Sequence, residues 1–335
     1  MNYHRLGRSG LLVSDVCLGT MTFGSQVSES DSLRILDRAF EAGINFFDTA
    51  EAYATPMCAE TYGASERILG KWLRSKPRDS LVLATKIAGP NGGIFGNIVP
   101  HIRGGGCTLD WHNFAAAVEG SLTRLGTDTI DLYQTHWPDR QIPIETQLEA
   151  LARLVEEGKV RYAGVSNETP WGLTKFAATA EFNGLPSVVS VQNVYHLLKR
   201  EFEDGMAEVC VREDIGMIAY SAIAMGVLTG KYSGGALPSE SRMAQYPSRF
   251  RDRYTAPRVL AAADRYVAIA KAAAINPAAM AVAWVRSRPK VAAALPGCTS
   301  ILHLDSILAG AEMTLSDDVV EAIDAVHADI KNPVI

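Results

Sequence analysis

Apolar residues along this chain alternate between two spacings, and the alternation predicts strands followed by helices. The segment DSLRILDRAFEAG (31–43) places Leu33, Leu36 and Phe40 on one helical face and ends at a glycine. The next apolar run, NFFDTA (45–50), has the length and composition of a buried strand. The same strand–helix order recurs almost to the end of the chain.

This alternation is typical of a parallel sheet covered by helices. Counting VCLGT (16–20) as the first strand, eight strands are predicted, and the expected α/β fold is a (β/α)8 TIM barrel. The opening YHRLGRSGLLVSDVCLG predicts an N-terminal β-hairpin, and the last residues predict extra C-terminal helices. An open doubly wound sheet is the alternative, but the G-x-G-x-x-G motif usual after its first strand is missing there. With no visible boundary or linker, residues 1–335 are predicted to form one domain.

Polar side chains recur where the predicted strands end. In a parallel barrel the carboxyl ends of all strands meet at one face, which is where active sites lie. A core built only for stability gives no reason to place titratable groups there, so this face is predicted to be functional. The residues concerned are Asp48 and Tyr53, Thr85 and Lys86, His136 and Trp137, Ser166 and Asn167, Gln192 and Asn193, and Tyr220 and Ser221.

Four of these side chains together suit the reduction of a carbonyl group. Lys86 is the natural partner of Asp48, because neighbouring strands end within ion-pair reach and each charge offsets the other's desolvation. A nearby ammonium stabilises the phenolate of Tyr53, whose pKa in water is about 10, and makes it a usable general acid or base. His136 could donate a hydrogen bond to the same substrate oxygen. Each residue taken alone has a structural interpretation, but packing does not explain all of them at successive strand ends.

The other strand ends indicate where a hydride donor could bind. Ser166, Asn167 and Gln192 carry hydroxyl and amide groups suited to a carboxamide, and Tyr220 could stack on a flat ring. The stretch PGCTS (296–300) precedes a predicted helix, whose backbone N–H groups could hold a phosphate.

Two long segments depart from the short-loop pattern, the glycine-rich residues 89–108 and the polar residues 230–257. Long loops inside a compact domain are usually functional, although tolerated insertions are the alternative. Both follow strands and are therefore expected at the same face as the polar strand ends. Lys231 and the arginines at 249–253 lie in the second segment and could close over a pyrophosphate.

Composition narrows the functional classes. Hydrophobic residues make up 47% and charged residues 21% of the chain, as in soluble globular proteins. The net charge is −5, so the composition does not indicate a basic surface. Neither nucleic acid nor a membrane is therefore an expected partner. The five cysteines are scattered without CxxC spacing, which argues against a disulfide framework or a zinc site and favours a reducing compartment. No signal-peptide core or membrane-length apolar run is visible, so the expected location is the cytoplasm.

The same residues, in this order, resemble the aldo-keto reductase superfamily over essentially the whole chain. The likeness is carried by LGTMTFG, GINFFDTAEAY, ATK, DLYQTHWP, GKVRYAGVSNET, VQNVYHLL, AYSAIAMGVLTGKY and LSDDVVEAIDAVHADI. The LYQTHWP and VSNET stretches and the ending are most similar to the bacterial Tas-like branch, which is related to potassium-channel β-subunits.

The resemblance implies a TIM barrel that binds NADP(H) without a Rossmann fold. It also implies a catalytic tetrad of Asp48, Tyr53, Lys86 and His136. The cofactor contacts it implies, together with those expected from the residues, are Ser166, Asn167, Gln192, Tyr220, Ser221, Lys231, Arg249, Gly297 and Thr299.

One departure from the family pattern concerns the catalytic tyrosine. Many members read D-T-A-x-x-Y-G-x-S-E, whereas ATPMCAETYGASE (54–66) inserts residues here and puts Tyr62 before the glycine. The five-residue step from Asp48 favours Tyr53 as the acid.

A second departure concerns the adenosine end of the cofactor. After the proline–glycine pair the family often has cations, but here Thr299, His303 and Ile307 stand near those places. A 2′-phosphate normally requires a cation. Arg249 or its neighbours could supply one, and NAD(H) stays an alternative to NADP(H).

The expected function is therefore that of an NADP(H)-dependent reductase interconverting an aldehyde or ketone with its alcohol, without a metal. A nicotinamide-binding regulatory subunit with little turnover is the alternative. A metal-dependent hydrolase fits less well, because the seven histidines are dispersed. The expected partner is a small carbonyl or alcohol compound, a homo-oligomer is left open, and Trp137 and the two long segments are expected to shape the pocket.

Overall fold

The chain begins with an antiparallel hairpin in which β1 (Tyr3–Arg5) pairs with β2 (Leu12–Ser14), as the sequence predicts. The computed structural model describes residues 1–90, 101–245 and 248–334. Leu6 and Val13 of the hairpin are fully buried and pack against Phe46 and Val82, which are the first residues of their strands. The hairpin therefore covers the amino-terminal end of the main sheet.

The main sheet has eight parallel strands that pair in chain order, and it closes into a barrel. Parallel bridges join Val16 to Ala294 and Gly19 to Gly297, which brings the last strand back to the first. The predicted (β/α)8 barrel is thus confirmed. The strands are β3 (Cys17–Gly19), β4 (Phe46–Asp48), β5 (Val82–Ile87), β6 (Ile130–Thr135), β7 (Val160–Ser166), β8 (Ser190–Val194), β9 (Gly216–Tyr220) and β10 (Val291–Leu295).

The helices begin and end at the signals that the sequence carries. Side chains of Ser28, Asp110 and Thr169 cap helix starts, and Gly126 and Gly184 end helices in the left-handed conformation. The helices are α1 (Glu29–Glu41), α2 (Ala64–Leu73), α3 (Trp111–Leu125), α4 (Ile144–Glu156), α5 (Pro170–Asn183), α6 (Met206–Arg212), α7 (Arg242–Gln245), α8 (Ser248–Thr255), α9 (Pro257–Ala272), α10 (Pro277–Arg286), α11 (Ile301–Glu312) and α12 (Asp317–Asp329).

The two long segments are only partly as expected. The polar segment 230–257 contains the short helices α7 and α8. The sequence does not predict these helices, because the segment is rich in arginine and lacks a helical spacing of apolar residues. Residues 91–100 of the glycine-rich segment lie outside the described residues, and the chain resumes through a tight turn at Arg103–Gly105.

The interior of the barrel changes character along its axis. Near the hairpin it is filled by apolar side chains such as Leu132 and Ile218. Toward the carboxyl ends it becomes polar, with Asp48, Lys86 and Gln192 all buried. This switch places charged groups at the end of the barrel opposite the hairpin.

Within the described residues, no single helix is long and apolar enough to cross a membrane. Only α9 and α10 together reach that length and composition, and they are bent by 98° at their junction.

Candidate active site

A cleft of about 1840 Å³ opens at the carboxyl ends of the strands. It exceeds the roughly 300–1,000 Å³ of a typical small-molecule pocket, so a long ligand and a small one could lie in it together. Residues from strand ends line its floor and one wall, and residues from the loops line the other walls. The lining includes Asp48, Tyr53, His136, Trp137, Ser166, Asn167, Gln192, Tyr220, Ser221, Lys231, Gly297 and Thr299.

A buried ion pair between Asp48 and Lys86 lies at the floor of the cleft. Lys86 Nζ is 2.5 Å from Asp48 Oδ1, and the side chains are 2% and 0% exposed for Asp48 and Lys86 respectively. The ammonium also donates to the carbonyl oxygen of Thr49 at 2.9 Å. Because each ion is desolvated, each depends on the other for compensation. The pairing that the sequence predicts is therefore present.

Two buried amides complete the surroundings of the Asp48 carboxylate. Gln192 Nε2 donates to Asp48 Oδ2 at 2.8 Å, and Gln134 Nε2 donates to the same oxygen at 3.2 Å. Gln134 is missing from the sequence-predicted site. The signal for it is the strand period of two, since Gln134 precedes His136 by two positions and shares its face of the strand.

Tyr53 lies beside this ion pair, on the turn that follows β4. Its hydroxyl is 3.3 Å from His136 Nε2, and Lys86 Nζ is 5.0 Å from the centre of the phenol ring. Tyr53 is 8% exposed and lines the cleft. The structure thus brings the phenol, imidazole, ammonium and carboxylate predicted from the sequence to one point.

The imidazole of His136 is neutral at physiological pH. Its burial, and next the charge of Lys86, lower the pKa of His136 well below 6.5. The ring stacks on Trp137 with a centroid distance of 3.8 Å, and Asn167 Nδ2 donates to the His136 carbonyl at 2.8 Å. These contacts hold the ring edge toward Tyr53, and in the described part of the chain Nδ1 has no hydrogen-bond partner.

Tyr62, the other tyrosine considered from the sequence, lies elsewhere. Its hydroxyl is 3.3 Å from Glu51 Oε2, and Tyr62 is not among the residues lining the cleft. Burial, and next the charge of Glu51, raise the pKa of Tyr62 to about 12. The geometry therefore puts Tyr53, and not Tyr62, beside Lys86 and His136.

The residues predicted to contact nicotinamide form a connected set along one wall. Ser166 Oγ donates to the carbonyl of Gln192 at 2.7 Å, and Asn167 Nδ2 lies 3.2 Å from Ser166 Oγ. The Tyr220 hydroxyl donates to Asn167 Oδ1 at 2.8 Å. Asn167 has a φ of 58°, a left-handed conformation that asparagine tolerates, and the sharp turn aims its amide into the cleft. This wall is fixed by its own hydrogen bonds.

The far arm of the cleft carries positive charge. Lys231 and Arg242 line it near His303, and within the described residues neither pairs with a carboxylate. Arg253 also lines the cleft but lies beside Tyr254 and Tyr220. The Thr299 hydroxyl is 3.1 Å from His303 Nδ1, and burial together with Lys231 and Arg242 lowers the pKa of His303.

The sequence does not predict Arg242 as a site residue. An arginine in a polar segment is usually a solvent-exposed charge, and only the fold shows that this one lines the cleft. The side chain of Arg249, which was predicted to bind cofactor, lies outside the described part. Gly297 forms a parallel bridge with Gly19 and lines the cleft. Ile307 also lines the cleft. No cluster of three or more His, Cys, Asp or Glu side chains among the described residues could hold a metal ion.

Comparison of the sequence with known proteins identifies a matching family and relatives that align over most of the chain. The model of the aldo/keto reductase family matches residues 15–328. Protein tas of Escherichia coli is 41% identical, with 98% of both chains covered. The uncharacterized oxidoreductase YrpG of Bacillus subtilis is 34% identical over 97% of this chain and 95% of its own. A probable voltage-gated potassium channel subunit beta of Arabidopsis thaliana is 32% identical over 89% of this chain and 88% of its own.

Replacing Lys86 by methionine should destabilise the fold, because it leaves the Asp48 carboxylate buried without its cation. We expect the free energy of unfolding to fall by about 3–5 kcal/mol. The double variant Asp48→Asn/Lys86→Met should recover at least about half of that loss, since no buried charge remains. Urea denaturation of the three proteins measures both effects, and a double variant less stable than Lys86→Met would contradict the pairing.

Proposed function

This chain belongs to the aldo/keto reductase family, and on that premise we propose that it is an NADP(H)-dependent oxidoreductase that interconverts an aldehyde or ketone with its alcohol. The similarity to protein tas and to a potassium channel β-subunit agrees with the branch that the sequence motifs indicate. The observation that carries the proposal is the meeting of Tyr53, His136, Lys86 and Asp48 at the floor of one long cleft.

The cleft fits a nicotinamide dinucleotide at both of its ends. Ser166, Asn167 and Gln192 offer hydroxyl and amide groups to a carboxamide, and the ring of Tyr220 lines the same wall. The cations on the far arm, Lys231 and Arg242, suit phosphate groups because they have no carboxylate partner in the described part. When bound there, the dinucleotide supplies or accepts the hydride.

The protein's own side chains handle the substrate oxygen. The Tyr53 hydroxyl delivers a proton to that oxygen when the carbonyl is reduced, and takes it back in the reverse direction. Neutral His136, 3.3 Å from the Tyr53 hydroxyl, can donate a hydrogen bond to the same oxygen without adding charge. Lys86, held by Asp48, keeps a positive field at the phenol and favours the phenolate left after transfer.

The second candidate is a nicotinamide-binding regulatory subunit with negligible turnover. It is favoured by the 32% identity to a probable potassium channel subunit beta. The two candidates differ in a single measurement, steady-state turnover of a panel of aldehydes and ketones with NADPH. Tight binding of the dinucleotide without turnover of any of these compounds would favour the regulatory role.

The Tyr53→Phe variant should retain cofactor binding and lose most turnover, because it removes one hydroxyl and keeps the ring in place. General acid catalysis is worth about 10²- to 10⁴-fold, so we expect kcat to fall by at least about 100-fold. Tyr62→Phe is the matched comparison. It removes a hydroxyl that lies 3.3 Å from Glu51 Oε2 and outside the cleft, so its loss of kcat should be much smaller than that of Tyr53→Phe. Near-normal turnover by Tyr53→Phe would defeat the assignment.

The pH profile tests the neutral state of His136. Since burial and Lys86 keep the pKa of His136 well below 6.5, its imidazole binds no proton as the pH falls toward about 6. We therefore expect kcat/KM to show no step near pH 6.5 that depends on this residue. A step in the wild type that disappears in His136→Asn would show that the imidazole titrates in that range.

Fluorescence titration with NADPH and NADH tests the positive arm of the cleft. Arg242→Met should weaken NADPH binding by about 10-fold or more, the value of a charge-assisted hydrogen bond. A larger loss for NADPH than for NADH would assign Arg242 to the 2′-phosphate, and an equal loss would assign it to the pyrophosphate. Arg251→Met is the control, because Arg251 does not line the cleft. Unchanged affinity of Arg242→Met for both dinucleotides would contradict the phosphate role.

A further inference from the structure

We propose that Arg103 is a positioning residue, which acts through Glu51 to fix the turn that carries Tyr53. The inference rests on the proposed function, since it assigns this pair to the same catalytic centre. Glu51 is fully buried, and its carboxylate receives two hydrogen bonds from the Arg103 guanidinium, Nη1 to Oε2 at 2.7 Å and Nη2 to Oε1 at 2.9 Å. Such a two-point contact fixes direction as well as distance.

The backbone that follows β4 stays hydrogen-bonded to β5 as far as Glu51, and the Glu51 side chain adds one more hydrogen bond on the same side. The amide of Thr49 donates to the carbonyl of Ala84 at 2.9 Å, and the amide of Glu51 donates to that of Lys86 at 3.2 Å. Beyond this point the Glu51 carboxylate takes over, and its Oε1 accepts from the amide of Ala88 at 2.6 Å. Tyr53 follows two residues later, so the position of its phenol depends on where this carboxylate is held.

Arg103 connects that carboxylate to a third element. Its Nε donates to Asn113 Oδ1 in α3 at 2.9 Å, so one guanidinium joins the Glu51 turn to the helix. The Arg103 backbone has a φ of 45°, which is unfavourable for a residue other than glycine and persists only where the surroundings determine it. Its neighbour Ile102 lies in one apolar cluster with Tyr53. The turn is thus held by polar contacts of Arg103 and by apolar packing around its neighbour Ile102.

A second buried ion pair in the same region provides a matched comparison. Glu66 in α2 is fully buried and accepts a hydrogen bond from Arg124 Nε at 2.6 Å, and Arg124 is 14% exposed against 16% for Arg103. This pair joins α2 to α3 and has no hydrogen bond to the turn between Thr49 and Tyr53. Its link toward Glu51 is indirect, through the ring of Tyr62, whose centre lies 5.0 Å from the Arg124 guanidinium carbon. If the Arg103 pair served only the stability of the fold, removing either arginine would have the same consequence for turnover.

The test compares Arg103→Met with Arg124→Met in the full-length protein, by hydrogen exchange and by kinetics with NADPH and a carbonyl substrate. Both variants should lose stability, because each uncovers a buried carboxylate. Only Arg103→Met should speed amide exchange in the segment 49–57 and lower kcat by about 100-fold, the cost of a small misplacement of a catalytic group. The KM and the Kd for NADPH should stay within about threefold of wild type, since the lost contact matters in the transition state. Arg103→Lys should recover part of kcat, because it restores the charge with a single-point contact.

Three results would overturn the proposal: equal losses of kcat in the two methionine variants, a kcat of Arg103→Met within about threefold of wild type, or unchanged exchange at 49–57. If Arg103→Met does not fold, the double variant Glu51→Gln/Arg103→Met carries the same test, since it leaves neither charge of the pair. If the wild-type protein turns over no carbonyl compound, that result contradicts the proposed function and not the positioning role of Arg103. The exchange comparison would then decide the positioning role by itself.

Discussion

The buried contact between Lys86 and Asp48 is the interaction on which the rest of the site depends. It holds an ammonium 5.0 Å from the centre of the Tyr53 ring and contributes to the low pKa of His136. The carboxylate in turn anchors the amide of Gln192, which lines the wall where nicotinamide is proposed to lie. One ion pair therefore adds to the effect of burial on the pKa of His136, places a charge beside Tyr53, and links these proposed catalytic groups to the proposed cofactor wall.

A closed parallel sheet is what allows such an arrangement. Asp48 and Lys86 are 38 residues apart in sequence, and Asp48 and Gln192 are 144 apart, yet their side chains are in direct contact. The barrel achieves this because every strand ends at the same face. The side chains at the floor and at one wall of the cleft stand on strands or close beyond them, whereas the other walls come from loops.

The sequence predicts the barrel well, and it also predicts that Asp48, Tyr53, Lys86 and His136 come together, because strand periodicity and strand-end chemistry are local signals. From the sequence, Tyr53 is preferred to Tyr62 as the catalytic tyrosine only because of its spacing from Asp48. The fold gives a physical reason for that preference, since the Tyr62 hydroxyl contacts Glu51 outside the cleft. Gln134 shares a strand face with His136, but nothing in the sequence shows that its amide binds Asp48, so it is missing from the predicted site. Arg242 and Arg103 are missing for another reason, since their roles depend on how irregular segments fold back. No local pattern encodes that path.

The hairpin at the amino terminus has a practical consequence. Leu6 and Val13 are buried among the first residues of the barrel strands, so the hairpin lies at the end of the barrel opposite the cleft. A carrier protein, a purification handle or a solid support joined to Met1 would face away from the opening. Immobilisation through that terminus would consequently leave access to the cleft unobstructed, and a label attached there would report poorly on events inside it.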